Sequence, residues 1–246
     1  MNPKYKRVLL KLSGGALASN EELFSKEALK NITKNIINAS EAGIQIAIVV
    51  GGGNIFRGRT ADEWNIDRVE ADNIGMLSTI INSLILKGAL ASQTYRDIRM
   101  MTSLPMNSVA EPYIRLKAKK YLDENSIVIF GGGTGQPFIS TDYPSIQRAI
   151  EIGAEIVLMA KDGVDGIYTA NPQNNKDAKR YKEINSSDVI NLNLKVADSS
   201  AFILAKEFNM PMYVFNFKEE NSIIKACSSE SNIGTFVSNE CKTMFY

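Results

Sequence analysis

The stretch that decides the fold is QIAIVVGGGNIFRG, residues 45–58. A short run rich in Ile and Val ends abruptly at three glycines, which is typical of a strand buried on both faces. The glycines let the backbone turn tightly beside whatever lies above the strand end. In open α/β sheets ligands bind beyond the carboxyl ends of the strands, and the Arg57 guanidinium suits phosphate oxygens. Taken alone, the loop is equally consistent with an ordinary glycine-rich turn carrying a surface arginine.

The same plan, an apolar run followed by glycine, occurs again in VLLKLSGG (8–15), SIVIFGGGTG (126–135) and IVLMAKDG (156–163). Four such junctions predict loops that converge on one or two polyanionic ligands, because backbone N–H groups in these loops bind phosphates. None of them fits G-x-x-x-x-G-K-[ST] or G-x-G-x-x-G in a strand–loop–helix context. The sequence therefore predicts neither a P-loop nor a Rossmann dinucleotide site.

Composition limits the classes of function. The chain has 246 residues, 44% of them hydrophobic and 22% charged, with a net charge of +1. These values predict one large soluble domain or two joined lobes, and they give no argument for a nucleic-acid or membrane partner. No apolar run approaches the ~18–20 residues of a membrane span. The absence of histidine excludes His-based metal sites and His general bases. Cys227 and Cys241 lie far from the glycine loops in sequence, so we expect a reducing, cytoplasmic location.

Strands alternate with helices along the chain, which predicts a mainly parallel sheet with right-handed crossovers. One helix is predicted from Ser25 to about Ala42. A second, apolar over more than half its circumference, is predicted from Asp67 to about Ser92, and such a helix must be buried in the core or against another subunit. Near the end we expect a helix over 219–227, an edge strand over 235–237, and a loose tail.

Six segments resemble a known family, in order and with matching gaps. They are KLSG (11–14), GGGNIFRG (51–58), ADNIGML (71–77), GTGQPFISTD (133–142), VDGIYTANP (164–172) and KVAD (195–198). On these residues nearly the whole chain resembles the bacterial UMP kinases of the amino acid kinase superfamily. The resemblance implies an α/β fold, a three-layer αβα sandwich with a mainly parallel central sheet. It implies a single domain over 1–246, with 1–153 mainly binding UMP and 154–246 mainly binding ATP.

The resemblance also implies the ligands and the assembly. They are Mg²⁺ with ATP as donor, UMP as acceptor, UTP or GTP as effectors, and a homohexamer. On the donor side, Lys11 would meet charge on the transferring group and Arg57 would bridge the phosphates. The implied ATP-binding residues are Lys11, Leu12, Ser13, Gly14, Gly53, Arg57, Asp162, Tyr168 and Asn171. From the residues alone, Lys11 could instead snorkel from a strand end, and Tyr168 could be a half-buried strand aromatic.

On the acceptor side, the resemblance implies that Asp72 accepts hydrogen bonds from the UMP ribose. From the residues alone, Asp72 is better explained as a carboxylate in the first turns of a helix, where the helix dipole favours it. The implied UMP-binding residues are Gly52, Asp72, Thr134, Gly135, Gln136, Pro137, Phe138, Ile139, Ser140 and Thr141. The implied catalytic residues are Lys11, Arg57, Asp142, Asp165 and Asp198. The three aspartates could hold Mg²⁺ through water or orient Lys11. Each also has a plain alternative, because aspartate favours turns and helix N-caps.

Phosphoryl transfer asks a protein mainly for positioning and charge neutralisation, which these residue types can supply. Two competing interpretations remain at this level. The first is a nucleotide-binding sensor or storage module without turnover, against which Lys11 and the aspartates argue. The second is a kinase whose acceptor is a carboxylate or carbamate. A set of Arg57, Asp72 and Thr141, able to meet both a phosphate and a ribose, argues against it.

Overall fold

The computed structural model describes residues 3–19, 21–194, 196–228 and 231–246. Within these ranges ten strands form one sheet: β1 Arg7–Leu12, β2 Gln45–Val50, β3 Ile98–Thr102, β4 Glu111–Pro112, β5 Ile127–Gly131, β6 Ile156–Lys161, β7 Tyr181–Asn185, β8 Met212–Asn216, β9 Gly234–Ser238 and β10 Met244–Phe245. The α-helices are α1 Lys26–Glu41, α2 Gly58–Glu63, α3 Arg68–Ala91, α4 Arg115–Asp123, α5 Asp142–Ile152, α6 Ser186–Asn191, α7 Ser199–Glu207 and α8 Ser222–Ala226. A 3₁₀ turn, Gly14–Leu17, follows β1.

The strand order is β10-β7-β9-β8-β6-β1-β2-β5-β3-β4. Neighbouring strands are parallel except for β8 with β9 and β7 with β10, which are antiparallel. The four strands that end in glycine loops, β6, β1, β2 and β5, are therefore adjacent and parallel. Because the carboxyl ends of parallel strands meet at one edge of a sheet, the predicted convergence of their loops is confirmed.

The sheet is covered on both faces, because alternate residues of the central strands enter two separate cores. In β1, Leu10 packs in one core with Ile36 of α1, while Leu9 packs in the other with Ile146 of α5. Helices α1, α3 and α8 cover the first face, and α4, α5, α6 and α7 cover the second. The predicted three-layer αβα sandwich is confirmed.

Helix α3 begins and ends where the sequence predicts. Asp67 is its N-cap, with a side-chain oxygen that accepts from Val69 N at 2.9 Å. Burial is one-sided, however: Leu77 and Ile81 are each 44% exposed in the single chain. The expectation that no segment approaches a membrane span was too strict, because α3 is long and apolar enough to cross one by length and composition. A core helix passes the same test, and α3 packs against β3 and β5.

The carboxyl-terminal part differs most from the prediction. Strand β9 lies between β7 and β8 rather than at the edge, and the tail forms the edge strand β10. Helix α8 is shorter than the predicted 219–227. Strand β7 (YKEIN) was not predicted, because its polar residues hide the period-2 pattern that it needs. Its pairing with β9 and β10 decides its conformation instead.

Candidate active site

A buried ion pair lies at the carboxyl edge of the central strands. Lys11, the next-to-last residue of β1, is 6% exposed, and its Nζ lies 2.5 Å from Oδ1 of Asp142, the first residue of α5. Burial opposes the charged form of Asp142, but the ammonium groups of Lys11 and Lys161 outweigh it and lower the pKa of this carboxyl. The alternative that Lys11 snorkels into solvent is wrong.

Lys161, the last residue of β6, completes this cluster, and sequence reasoning did not assign it a role. Burial, and then the nearby charge of Lys11, lowers the pKa of the Lys161 ammonium below its ordinary value. Its Nζ donates to the Val196 carbonyl at 2.5 Å. The signal was present in the sequence, because a lysine ends an otherwise apolar strand at the same sheet edge as Lys11.

Asp198 joins the cluster through its backbone. Its N–H donates to Asp142 Oδ2 at 3.3 Å. Although Asp198 is the N-cap residue of α7, its carboxylate makes no capping hydrogen bond. The plain N-cap interpretation therefore does not account for this side chain. Lys195, which belongs to the same sequence segment, lies outside the described residues.

A cavity of about 730 Å³, here called the α3 cavity, opens beside Asp198. It lies between the amino-terminal half of α3 and the loops after β2 and β5. The predicted site residues that line it are Gly52, Gly53, Arg57, Asp72, Gln136, Phe138, Ile139, Ser140, Thr141 and Asp198. Thr134, Gly135 and Pro137 are not part of this lining. Gly135 instead approaches Ser103, since a Cβ at position 135 would lie 3.2 Å from the Ser103 Cβ.

Asp72 ties α3 to the loop after β5. Its Oδ2 accepts from the Phe138 backbone N at 2.8 Å and from Arg68 Nε at 2.9 Å. The Arg68 guanidinium also lies 6.0 Å from the Phe138 ring centroid. Asp72 is thus a half-buried carboxylate at the cavity wall, held in place by two donors.

Two of the predicted glycines have a structural reason that the sequence did not reveal. A Cβ at Gly52 would lie 2.8 Å from both the Gly75 carbonyl oxygen and the Ser78 Cβ, so α3 itself requires this glycine. A Cβ at Gly14 would lie 2.5 Å from Asn54 Oδ1 and 2.8 Å from the Gly51 carbonyl oxygen. Close packing of the loop after β2 against α3 therefore depends on Gly52, and its packing against the loop after β1 depends on Gly14.

Arg57 stands between two cavities. Its Nε donates to the Gly53 carbonyl at 2.6 Å, which draws the side chain back over the glycine loop. Arg57 lines the α3 cavity and also a second cavity of about 1040 Å³ beside α1, here called the α1 cavity. A group held by Arg57 can therefore face either space. Of the other predicted residues in this region, Leu12 is buried in the core, and its carbonyl accepts the Gly51 N–H at 2.9 Å.

The residues implied to bind ATP lie at different cavities in the structure. Tyr168 and Asn171 line a third cavity of about 570 Å³, here called the β6 cavity, together with Lys161. Asp162 does not join them, because it lines the α1 cavity and pairs with Lys218 at 2.7 Å. The Asp162 carboxylate lies at the α1 cavity and Tyr168 at the β6 cavity, a placement that spacing in sequence cannot indicate.

Asp165 is not brought to the lysine cluster. Its carboxylate forms an ion pair with Arg180 and accepts a hydrogen bond from the Tyr168 hydroxyl at 2.7 Å. These two donors hold it against the wall that carries Tyr168. Of the two roles expected for Asp165, orienting Lys11 does not agree with these contacts, and holding Mg²⁺ through water stays a prediction. The carboxylate positions the tyrosine instead.

Comparison with known proteins identifies the family. The chain matches the amino acid kinase family over residues 6–216. It is 49% identical over 228 residues to a uridylate kinase of Frankia alni, covering 92% of this chain and 89% of the relative. It is 46% identical over 238 residues to a uridylate kinase of Pediococcus pentosaceus, covering 96% and 98% of the two chains.

Solved structures agree as well. The crystal structure of a UMP kinase from Bacillus anthracis matches with a TM-score of 0.95 and 52% identity, covering 98% of this chain and 99% of that one. A UMP kinase from Ureaplasma parvum matches with a TM-score of 0.89 and 34% identity, covering 95% and 98%. With its lysine cluster and its loop-lined cavities, the chain belongs to the amino acid kinase family and, within it, to the uridylate kinases.

Proposed function

We propose that the protein transfers the γ-phosphoryl group of ATP to UMP, giving ADP and UDP for pyrimidine nucleotide biosynthesis. The observation that carries this proposal is the position of the lysine cluster. Lys161 lines the β6 cavity and Asp198 lines the α3 cavity, so the cluster of Lys11, Lys161 and Asp142 lies between two cavities. A reaction that transfers a phosphoryl group from one phosphate-bearing substrate to another needs positive charge between the two binding sites.

The reaction then follows from charge and position. UMP in the α3 cavity would present a phosphate oxygen as nucleophile, and ATP in the β6 cavity would present its γ-phosphoryl group. The ammonium groups of Lys11 and Lys161 would neutralise charge that develops on the group in transfer. Asp142 holds Lys11 in place, and Arg57 can contact phosphate from either substrate. A phosphate dianion is already a nucleophile, so the proposal needs no general base.

Magnesium fits the residues at the cluster. Among the described residues no group of three or more Asp, Glu, His or Cys side chains could hold a metal ion by itself. Mg²⁺ in kinases is usually bound by one or two carboxylates together with substrate phosphates. Asp198, whose carboxylate makes no capping bond, and neighbouring Asp142 would supply those carboxylates. When bound, Mg²⁺ would neutralise charge on the ATP phosphates.

We extend the proposal to assembly, regulation and location. The exposed Leu77 and Ile81 on α3 give a single chain an apolar face that a homohexamer contact would cover. We also propose a cytoplasmic enzyme that responds to UTP or GTP, as the sequence resemblance implies. We also retain the division into a UMP half, 1–153, and an ATP half, 154–246. Sedimentation tests the assembly, and a stable, active monomer at micromolar concentration would contradict it.

An acceptor screen tests the function. Coupled ADP release with Mg²⁺ and ATP is measured for UMP, CMP, dUMP and small carboxylates. We expect rapid turnover with UMP and far slower turnover with the carboxylates. Binding of nucleotide without any ADP release would favour the sensor module, and preference for a carboxylate would favour a different kinase of this fold.

Asp72→Asn is expected to weaken UMP binding and to narrow the gap between UMP and dUMP. A carboxylate can accept from both ribose hydroxyls, whereas an amide offers one acceptor oxygen. The Asn oxygen can still accept from Phe138 N, so the loop keeps its tie to α3. KM is measured for both substrates, with Arg68→Gln as a comparison that removes the neighbouring cation and its hydrogen bond to Asp72 but keeps the carboxylate. Equal losses for UMP and dUMP would remove Asp72 from the ribose site.

The kcat/KM for UMP should fall at both low and high pH, and a different group should titrate in each limb. The acidic limb should follow the UMP phosphate, whose second pKa is near ~6. The alkaline limb should follow Lys161, whose pKa is lowered by burial and by Lys11, because activity is lost as pH rises through that pKa. Lys161→Arg should move the alkaline limb upward, since guanidinium stays protonated. An unmoved alkaline limb would assign it to another group. A fluorinated phosphonate analogue of UMP has a lower phosphate pKa, so the acidic limb should move to lower pH with that substrate. An unmoved acidic limb would point to an enzyme carboxylate.

A further inference from the structure

A charged network centred on the buried Arg148 lies beneath the loop after β5. Arg148, on α5, has a side chain that is 7% exposed, and its Nη1 donates to Glu151 Oε2 at 2.7 Å. Its guanidinium stacks 3.7 Å from the ring centroid of Tyr113, whose hydroxyl donates to the same Glu151 oxygen at 2.5 Å. Burial, and then the bond to Glu151, raises the pKa of Tyr113. Glu151 and the Tyr113 ring therefore hold the Arg148 guanidinium on two sides, and Ser103 is its third contact.

The third contact leads to the α3 cavity. Arg148 Nη2 donates to Ser103 Oγ at 3.1 Å, and Ser103 Oγ donates to the Gly133 carbonyl at 2.7 Å. Gly133 lines the α3 cavity. Gly133 and Gly135 have φ values of +57° and +79°, a region that glycine enters readily. A backbone this permissive can point its carbonyl and N–H groups in several directions unless something holds it.

The physical cost of the network argues for a role. Burying Arg148 removes its guanidinium from water, while the side chain of its partner Glu151 stays 26% exposed. Apolar residues of similar volume often stabilise a core as well as a buried charge or better. The core of α5 already contains such residues, among them Ile146 and Ala149. The charged pair adds hydrogen bonds, which unlike apolar contacts fix the orientation of the groups they join. It connects α5, whose first residue is Asp142, to the end of β3 and to a glycine loop at the cavity.

We propose that Arg148 and Ser103 are positioning residues for the acceptor: through the Gly133 carbonyl they hold the 132–135 loop in the geometry that receives UMP. This inference rests on the proposed function. Neither side chain lines the α3 cavity, so both act through the loop. Their loss should weaken UMP binding while leaving the ATP side, which is formed by β6 and the segment that follows it, unchanged.

The test compares Ser103→Ala with Ser126→Ala. Each variant deletes one serine hydroxyl that donates a hydrogen bond within the protein. The half-buried Ser103 donates to the Gly133 carbonyl, whereas the buried Ser126 donates to Asp97 at the far end of β5. We expect Ser103→Ala to raise KM for UMP roughly fivefold, the equivalent of one ordinary hydrogen bond. KM for ATP should stay within about twofold, a change below the value of one hydrogen bond. Ser103→Thr, which keeps the hydroxyl, should restore part of the loss. Ser126→Ala should leave both constants unchanged.

Arg148→Lys adds a second line of evidence, because it keeps the charge beside Glu151 and loses the fork that reaches Ser103. It should also raise KM for UMP selectively. Unchanged KM for UMP in Ser103→Ala, or equal rises for UMP and ATP, would overturn the inference. If the wild-type protein releases no ADP with UMP, the proposed function fails and this inference fails with it. Active wild-type enzyme with insensitive variants refutes the positioning role alone.

Discussion

Lys11→Met is expected to reduce kcat by about a hundredfold to a thousandfold, the usual loss when one preorganised charge or donor is removed from a transition state. Methionine keeps much of the length and apolar volume of the lysine stem, so the packing at the end of β1 is largely retained. The ammonium, which is 2.5 Å from Asp142, is lost. KM for UMP should change far less than kcat, because the lost interaction acts mainly on the group in transfer.

Lys34→Met is the matched control for Lys11→Met. Lys34 is an exposed lysine whose ion pair with Glu220, at 2.6 Å, lies on the surface of α1. Exposed pairs of this kind contribute little, so the control should retain wild-type turnover. ADP release at saturating substrates measures both variants. A Lys11→Met protein with near wild-type kcat would show that Lys161 and bound Mg²⁺ suffice, and would remove Lys11 from the catalytic set.

Asp142→Asn is expected to cost about 3–5 kcal/mol of stability at neutral pH, the range measured when one partner of a buried ion pair is removed. The amide leaves the Lys11 and Lys161 ammonium groups close together without a buried counter-charge. Activity should fall as well, because Lys11 loses the group that orients it.

The pH dependence of this cost has a definite sign. The pKa of Asp142 is lowered in the folded protein, so its carboxylate contributes stability that is fully present above the unfolded-state pKa, near ~4. That contribution is lost as pH falls through the folded pKa. Urea unfolding of wild type and variant should therefore differ most near neutrality and converge in acid.

Asp123→Asn is the control for Asp142→Asn, because Asp123 is a 62% exposed carboxylate in an ion pair with Arg7. Its loss should cost less than about 1 kcal/mol and show no comparable convergence. A difference between Asp142→Asn and wild type that does not change with pH would mean that the cost comes from packing. The charge pairing argued here would then be wrong.

The sequence alone was sufficient for the layered α/β architecture, but not for the strand order or the carboxyl-terminal strands. The strands that end in glycine loops are continuous apolar runs, and only a sheet covered on both faces buries such runs. The caps of α1 and α3 follow from Ser25 and Asp67, whose side-chain oxygens accept backbone N–H groups locally. The family could also be identified, because its six segments occur in order. Features of this kind depend on residues near one another in the chain or on the apolar pattern itself.

Only the tertiary structure decided which charged groups meet. Lys11, Asp142 and Lys161 come from three distant segments, and β1 lies beside β6 only because of the crossover order of the sheet. In this fold Asp165 forms an ion pair with Arg180, and Asp162 forms one with Lys218, so neither aspartate joins the lysine cluster. Charged side chains follow no periodic pattern that indicates their partners, because a salt bridge forms wherever folding brings two opposite charges together. The strand order and the charged network centred on Arg148 were therefore beyond the reach of the sequence.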